Sequence, residues 1–271
     1  MRKKLFAGFA VGVFFVTGAA YAVPFDGTEV NLEGSAQLTS GPLLLNNAEG
    51  QAGAAWAVNP IDTMNSFSTT FSFDLKNQHT FYDSNTSLSY HYNPNTSTSF
   101  ELPMADGVAF VLQSTSNTAL GNGGASIGAG GLTNVVGSAV QTWYNNRLGL
   151  FQGDPSIMTN PINPAPFDMG MSGEVTGIET VSYDALTHIL SMTGDVNGNH
   201  VSDNLNIDLS SFGSTMYVGF TGGTGLGSAY QEITDWNGIK TSPAPVPEPA
   251  TMLLMGTGIA GLIAARRKKK A

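Results

Sequence analysis

The feature that most constrains this fold is a set of short runs in which apolar and polar residues alternate. The clearest run is 67–75, where Phe67, Phe71 and Phe73 fall on one face and hydroxyl-bearing residues fall between them. Successive side chains of a β-strand point to opposite faces, so one face of this strand is predicted to lie in a core. Between residues 23 and 242 the sequence has no heptad and no helical stripe. The chain is therefore predicted to be all-β.

Six further runs have strand character and are separated by turn residues such as Asn197-Gly198. They are 107–113, 138–144, 177–183, 188–193, 205–209 and 216–221. Their regular spacing favours two packed antiparallel sheets, which is an antiparallel β-sandwich. Two segments are not expected to be core strands: 77–100 is rich in Ser, Thr, Asn and Tyr, and 153–166 contains four prolines.

The first 22 residues have the composition of a secretory signal peptide. A basic start at residues 2–4 is followed by an apolar run to about residue 16 and by the small-residue site Ala20-Tyr21-Ala22. We therefore assign residues 1–22 to a signal peptide and expect the protein to be exported. A membrane anchor is the alternative interpretation of this segment.

The other end of the chain combines a short proline motif, an apolar stretch and a basic cluster. Residues 246–249 read Val-Pro-Glu-Pro, residues 250–265 are mostly apolar, and residues 266–270 are all Arg or Lys. This arrangement resembles the PEP-CTERM sorting tail, so 243–271 is assigned to a sorting segment and 23–242 to the folded domain. The resemblance implies a transient membrane anchor that is recognised by exosortase-like sorting machinery. It also implies export across the inner membrane to the periplasmic face, the cell surface or the extracellular matrix. An ordinary C-terminal membrane helix is the alternative.

Charge and cysteine content exclude several classes of function. Between the two terminal signals only Lys76, Arg147 and Lys240 oppose 19 acidic residues, for a net charge of −16. A domain this acidic cannot neutralise a row of phosphates, which argues against nucleic acid, and it disfavours binding to anionic lipid. The chain has no cysteine, so disulfides, thiolate metal sites and cysteine nucleophiles are excluded.

Several sequence blocks occur in the order found in legume-type (L-type) lectins. They are Gly-Ala-Ala-Trp at 53–56, Ala-Asp-Gly-Val-Ala-Phe at 105–110, the glycine-rich segment 121–131, Val-Ser-Tyr-Asp at 181–184, Tyr-Val-Gly-Phe-Thr-Gly-Gly-Thr-Gly at 217–225 and Ile-Thr-Asp-Trp at 233–236. The chain resembles this family over most of residues 23–239. The resemblance implies a concanavalin-like jelly roll and a carbohydrate-binding module.

The resemblance also assigns sugar contacts to particular residues. In the family, the Asp of the Ala-Asp-Gly block accepts hydrogen bonds from two sugar hydroxyls, the glycine-rich loop offers a backbone N–H, and a later loop adjusts specificity. An ionised carboxylate suits the first role because it only accepts hydrogen bonds and can take two O–H donors. Asp106 as a plain turn residue and the glycine-rich segment as a ligand-free flexible loop are the alternatives. The candidates are Asp106, Gly128, Gly130, Gly131, Asn145, Tyr230 and Gln231.

The metal-binding pattern of the family is only partly present. There, the strand after the glycine-rich loop carries Glu-x-Asp-x-aromatic-x-Asn, followed by a further Asp and a His, to hold a transition metal and a calcium ion. Here Ala139 and Gln141 stand in place of the two acids, and no histidine follows at a matching spacing. A transition metal is therefore not expected, because Ala offers no ligand and Gln no charge. A weakened calcium site stays open, formed by Gln141, Trp143, Asn145 and Asp154.

Taken together, these patterns favour an exported, non-catalytic protein that binds a glycan or exopolysaccharide. One alternative is a structural surface or extracellular-matrix protein that kept the lectin sandwich but lost sugar binding. A glycoside hydrolase would need two carboxylates on one inward face. Glu174 and Glu179 are five residues apart and would lie on opposite faces of one strand. We therefore do not expect an enzyme.

Overall fold

The structure is a computed structural model, and it describes residues 30–77, 106–142, 147–158, 160–162, 174–225 and 227–243. Within these ranges no helix has the length and apolar character that crossing a membrane requires. The predicted signal peptide lies outside the described residues. So do the polar segment 77–100 and the sorting segment 243–271, apart from one residue at the edge of each.

Fourteen strands make up the described part of the chain, together with three short 3₁₀ turns. The strands are β1 Val30–Gly34, β2 Gln37–Leu38, β3 Leu43–Asn46, β4 Ala52–Ala57, β5 Ile61–Asp62, β6 Ser66–Asn77, β7 Gly107–Gln113, β8 Val136–Gln141, β9 Arg147–Gln152, β10 Glu174–Asp184, β11 Ile189–Val196, β12 Asn199–Asn206, β13 Thr215–Gly223 and β14 Ala229–Ser242. The 3₁₀ turns are Gly124–Ser126, Pro155–Ile157 and Leu209–Phe212.

The strands form two seven-stranded sheets in which neighbouring strands run antiparallel. The front sheet has the order β1-β4-β13-β7-β8-β9, with β5 added to β13, and the back sheet has the order β12-β11-β10-β6-β14-β3-β2. Neighbours such as β4 and β13 are far apart in sequence, so the chain crosses repeatedly between the sheets. The predicted antiparallel β-sandwich is confirmed.

The main core lies between the sheets and is built around aromatic rings. Phe71 of β6 stacks on Phe110 of β7 at 5.6 Å and meets the edge of Phe220 of β13 at 5.1 Å. Phe220 in turn packs edge-to-face with Trp236 of β14 at 5.3 Å. Offset and edge-to-face contacts of this kind are the favourable arrangements of aromatic pairs. The predicted inward face of the 67–75 strand is confirmed, since Phe67, Phe71 and Phe73 are all buried.

The front sheet is covered on its outer face as well, by the glycine-rich segment. Ile127 and Ala129 of that segment pack with Trp56 and Val111 of the front sheet in a second apolar cluster. Every residue of β7 is consequently buried. A strand that is buried on both faces does not alternate in polarity, which explains the nearly continuous apolar sequence of 107–113.

The predicted turn and most predicted strands are confirmed, and one strand was placed wrongly. Asn197 and Gly198 both have positive φ, +48° and +77°, and they join β11 to β12 as a two-residue hairpin. The predicted strand 205–209 is wrong because β12 ends at Asn206 and the chain turns at Leu209–Phe212. The side chain of Asp208 accepts a hydrogen bond from the Ser210 amide and so favours a turn there. Strands β1 to β5, β9 and β14 were not predicted as strands.

Candidate functional site

The backbone of Asp106 is held between the ends of two strands. Its N–H donates to the carbonyl of Gly223 at the end of β13 (2.8 Å), and its carbonyl accepts from the N–H of Thr142 after β8 (2.9 Å). Gly107, the next residue, has φ +146°, a conformation that L side chains rarely adopt. Both sides of the Asp106 backbone are therefore fixed, and the direction of its side chain is set by the ends of β7, β8 and β13.

The Asp106 carboxylate is buried, and one of its two oxygens is unsatisfied. The residue is 4% exposed, and its Oδ2 has no hydrogen bond to any of the described residues. Burial raises the pKa of this carboxyl to about 6, because desolvation disfavours the charged form. A buried polar atom that lacks a hydrogen bond costs about 1–3 kcal/mol, so such an atom in a native fold calls for an explanation.

Two glycines lie against this carboxylate. A Cβ at Gly225 would lie 2.9 Å from Asp106 Oδ2, and one at Gly124 would lie 3.9 Å from it. A Cβ at Gly223 would lie 2.8 Å from the carbonyl oxygen of Gly124, so the two glycine-containing segments pack backbone against backbone. Only glycine permits an approach this close.

Hydrogen bonds join the segments that meet beside Asp106. The N–H of Gly124 donates to the Thr224 carbonyl (3.2 Å), and the N–H of Thr224 donates to the Gln51 carbonyl (2.9 Å). The Gly50 amide donates to the carbonyl of Gly225 (3.0 Å). We call this meeting point the rim; it consists of Asp106, the glycine-rich segment 121–131 and residues 223–225. The structure thus brings together three segments that are distant in the sequence.

The three glycines predicted to offer a backbone N–H contact other parts of the same segment. The Gly128 N–H donates to the Asn122 carbonyl (2.8 Å), so this amide is already used. A Cβ at Gly130 would lie 2.6 Å from the Ser126 Cβ, and one at Gly131 would lie 3.5 Å from the Asn122 side-chain nitrogen. These contacts show that the glycines allow the segment to fold tightly on itself.

The glycines that lie against Asp106 were missed. Gly124 opens the 3₁₀ turn of the glycine-rich segment, and Gly225 ends the block that begins with the β13 strand. Both belong to blocks that carried the family resemblance. The ordering of those blocks was therefore the available signal, but it does not say which glycine faces the carboxylate.

Gln231 lies inside the sandwich rather than at its surface. Its side chain is fully buried, donates from Nε2 to the Gly223 carbonyl (2.8 Å) and accepts from the Asn46 amide (2.6 Å). The same Gly223 carbonyl accepts the Asp106 N–H, so Gln231 supports the end of β13 beneath the rim. This placement does not favour the predicted direct contact between Gln231 and a sugar.

Tyr230 is the exposed member of the predicted pair. Tyr230 is 39% exposed, and it lies on β14 directly opposite Lys76 of β6 in the back sheet. Its neighbours Ala229 and Gln231 are buried, so the Tyr230 side chain lies on the outer face of that sheet. Tyr230 remains a predicted contact.

Two of the four predicted calcium ligands have described side chains, and both bond to protein groups. Gln141 donates from Nε2 to the carbonyl of Ala125 (2.8 Å). Asp154 accepts from the Ser156 N–H through Oδ1 (2.9 Å) and from the Ser126 hydroxyl through Oδ2 (2.9 Å). Both residues therefore hold the glycine-rich segment or a neighbouring turn by direct hydrogen bonds.

The other two predicted ligands, Trp143 and Asn145, lie outside the described residues, as does any sugar contact by Asn145. In the ranges that the structure covers, no cluster of three or more His, Asp or Glu residues is arranged to hold a metal ion.

A second buried carboxylate, Glu179 of β10, lies in the main core. It is 1% exposed, and its Oε2 accepts a hydrogen bond from Ser138 of β8 in the opposite sheet (2.7 Å). Burial raises its pKa to about 7, and the Ser138 hydrogen bond offsets part of that shift. Glu174 is exposed at the start of the same strand, so the two glutamates lie on opposite faces as predicted.

The two-sheet architecture is that of known lectins. Solved structures similar to the chain include the basic winged bean lectin with Tn-antigen, the Bauhinia forficata lectin in complex with GalNAc, and a Griffonia simplicifolia lectin in its metal-free form. Each has a TM-score of 0.62, with 20%, 19% and 18% sequence identity respectively. The matches cover 80%, 81% and 81% of this chain and 94%, 96% and 97% of the lectins. The chain therefore has the legume-lectin fold.

The C-terminal segment also has a known counterpart. Residues 245–268 match the PEP-CTERM protein-sorting motif. This match confirms the resemblance of the tail, and it indicates export and sorting to the cell envelope or surface. The chain is thus an exported protein with a lectin-like fold.

Proposed function

We propose that this chain is a non-catalytic glycan-binding protein that holds a sugar through the Asp106 carboxylate at the rim. The observation that carries the proposal is the buried Asp106 Oδ2, which has no hydrogen-bond partner in the part of the chain that the structure describes and lies against Gly124 and Gly225. A binding site gives a physical reason for keeping an unsatisfied oxygen, because a ligand can supply the missing donor.

Sugar hydroxyls are suitable donors for this site. An ionised carboxylate accepts two O–H groups, and such charge-assisted hydrogen bonds are stronger than neutral ones. Glycines beside the carboxylate leave room for a pyranose ring to approach the backbone. The acidic domain disfavours an anionic ligand, so a neutral glycan is the better candidate.

The expected ligand is an extracellular glycan or exopolysaccharide. Two of the similar lectins were solved with Tn-antigen and with GalNAc, which supports a carbohydrate ligand by analogy of fold. A single sugar is expected to bind with a free energy of about −4 to −8 kcal/mol. Display of many copies on one surface would raise the effective affinity.

The sorting tail supports a location outside the inner membrane. We propose that 243–271 anchors the chain only until exosortase-like machinery recognises it, and that the domain 23–242 then acts at the periplasmic face, the cell surface or in the extracellular matrix. The signal peptide 1–22 would bring the chain to that machinery.

A structural surface or matrix protein is the second candidate. The observation that favours it is the 4% exposure of Asp106, together with the engagement of the Gln141 and Gln231 amides inside the protein. In that case the sandwich would have kept its shape without a sugar site.

A glycan array separates the two candidates. The full chain, in a detergent without a sugar headgroup, is tested with and without calcium, beside Asp106→Asn and the exposed control Asp195→Asn. Binding that is lost in Asp106→Asn and retained in Asp195→Asn supports the proposal. Binding that is equal in both variants removes Asp106 from the site, and no binding by any form favours the structural protein.

A further inference from the structure

The glycine-rich segment 121–131 is closed on itself by backbone hydrogen bonds. The Asn122 N–H donates to the Gly130 carbonyl (2.8 Å), and the Gly128 N–H donates to the Asn122 carbonyl (2.8 Å). The Gly121 N–H donates to the Gly128 carbonyl (3.0 Å), and the Ala129 N–H to that of Ser126 (2.9 Å). A segment with this many internal bonds has one defined shape.

Ile127 fastens the segment to the front sheet. Its side chain is completely buried against Trp56 and Val111, and its backbone has φ +42° and ψ +44°. A β-branched residue rarely adopts this left-handed conformation, which persists only where surrounding contacts impose it. Those contacts are the burial of the side chain and the hydrogen bond from the Ile127 N–H to the Gly124 carbonyl (2.8 Å).

Two side chains from outside the segment, Gln141 and Asp154, form hydrogen bonds to its consecutive residues Ala125 and Ser126. Gln141 Nε2 donates to the Ala125 carbonyl, and the Ser126 hydroxyl donates to Asp154 Oδ2. Gln141 ends β8 of the front sheet, and Asp154 caps the 3₁₀ turn that follows β9 of the same sheet. Ala125 and Ser126 directly follow Gly124, where an added Cβ would lie 3.9 Å from Asp106 Oδ2.

Within the described residues, the donors present do not fit the metal ions that the lectin fold implies. At the positions of the two metal-binding acids stand Ala139, which has no ligand atom, and Gln141, which has no charge. Asp154 is a single carboxylate, and each of its oxygens already accepts a hydrogen bond. Calcium prefers several carboxylate oxygens, so this donor set is a poor calcium site.

We propose that Gln141 and Asp154 are positioning residues that hold the glycine-rich segment beside Asp106 by direct hydrogen bonds, so that the rim keeps its shape without a metal ion. If the proposed function is right, this inference also means that glycan binding does not depend on calcium. Only that extension rests on the proposed function. The shape of the segment itself is tested without any glycan.

Hydrogen exchange of residues 121–131 in the full chain tests the proposal. Excess EDTA or millimolar CaCl₂ is expected to leave the exchange rates unchanged in the wild type. Gln141→Ala and Ser126→Ala are each expected to raise exchange about fivefold, because each removes a bond worth roughly 1 kcal/mol. Gln37→Ala, an exposed change on β2, is the matched control and is expected to have no effect. Slower exchange on adding calcium to the wild type would overturn the proposal, even if neither variant folds.

Gln141→Asp separates positioning from a general loss of packing. An ionised Asp has no N–H to donate to the Ala125 carbonyl, but it adds a carboxylate at the position that bonds to Ala125, the neighbour of the Ser126 that bonds to Asp154. We expect faster exchange of 121–131 that calcium reverses, which a purely structural defect would not show. If calcium does not slow the exchange of residues 121–131 in the Gln141→Asp variant, the proposed link between residue 141 and metal independence is wrong.

The array result distinguishes the two proposals. Metal-independent exchange without any glycan binding would refute the proposed function and leave the positioning role standing. Glycan binding that disappears in EDTA would refute the positioning role and leave the proposed function standing.

Discussion

The two buried carboxylates of this protein, Asp106 at the rim and Glu179 in the core, differ in what surrounds them. Both are almost inaccessible, and both have an oxygen without a hydrogen bond from the described residues. Burial raises the pKa of Asp106 to about 6 and that of Glu179 to about 7. Glu179, however, accepts a hydrogen bond from Ser138 across the sandwich, whereas Asp106 Oδ2 lies between glycines. Burial and a raised pKa alone therefore do not identify a binding site. The distinguishing feature is the meeting of glycine-containing segments around one carboxylate.

The largest effect is expected from Asp106→Asn. Loss of the charged acceptor should weaken glycan binding about 100-fold, because two charge-assisted hydrogen bonds become weaker or are lost. The unfolding free energy at pH 7 should rise by about 2 kcal/mol, since a buried charge is removed. Isothermal titration calorimetry and urea denaturation measure the two quantities. An Asp106→Asn variant that is less stable than the wild type and still binds glycan would show that Asp106 and Glu179 do not differ in the proposed way.

Glu179→Gln should change stability and not binding. The pKa of Glu179 is raised from 4.5 to about 7 in the folded protein, so the folded state holds more protons than the unfolded state between these values. Its contribution to stability is full below pH 4.5 and falls by about 3 kcal/mol as the pH rises through 7. The Glu179→Gln variant should not lose this stability as the pH rises, so it should be more stable than the wild type at pH 8. Equal denaturant midpoints of the two proteins at pH 8 would contradict this expectation.

Glycan affinity should fall in acid, with a midpoint near the pKa of Asp106. Ligand hydroxyls donate to the ionised carboxylate, so binding favours the charged form and weakens as the pH falls below about 6. Between pH 7 and pH 5 we expect about a tenfold loss of affinity. Titrations across this range in Glu179→Gln should follow the wild type. A flat profile would mean that Asp106 is not the acceptor.

Gly225→Ala should have the smallest effect. The new Cβ would lie 2.9 Å from Asp106 Oδ2, so the side chain or the 223–225 segment must shift by a few tenths of an ångström. We expect affinity to fall about fivefold through this displacement, in line with a cost near 1 kcal/mol. Gly41→Ala, where a Cβ would contact nothing within 4 Å, is the control. Affinities that remain equal in both variants would place the ligand away from Gly225.

Some parts of the fold were predictable because their signals are local. The alternation of 67–75 identified an inward face that the structure confirms, and Asn197-Gly198 identified a hairpin turn. The strand 205–209 was wrong because the alternation of Leu205, Ile207 and Leu209 is typical of a strand, whereas β12 ends at Asn206 and a 3₁₀ turn begins at Leu209. Strands β4 and β9 of the front sheet escaped prediction because strands rich in Ala and Gly, or buried on both faces, show weak alternation.

The site was predictable only in part. Asp106 was singled out because its block resembles a family motif, but the glycines against its carboxylate were not. Gly124 and Gly225 reach Asp106 through the pairing of β13 with β7 and the folding of the glycine-rich segment over the front sheet. Gln231 was expected at the surface, yet the bulge and register of β14 direct its amide inward to Gly223.

The sequence by itself determined the strand-rich character of the chain, its acidity, its sorting tail and the choice of Asp106, because each depends on residues that are neighbours in the chain. Only the tertiary structure decided which glycines flank that carboxylate, that Glu179 reaches Ser138 in the opposite sheet, and that Gln141 and Asp154 bond to the glycine-rich segment. Such contacts depend on the order of strands within two sheets, and the alternation of a single strand carries no information about that order.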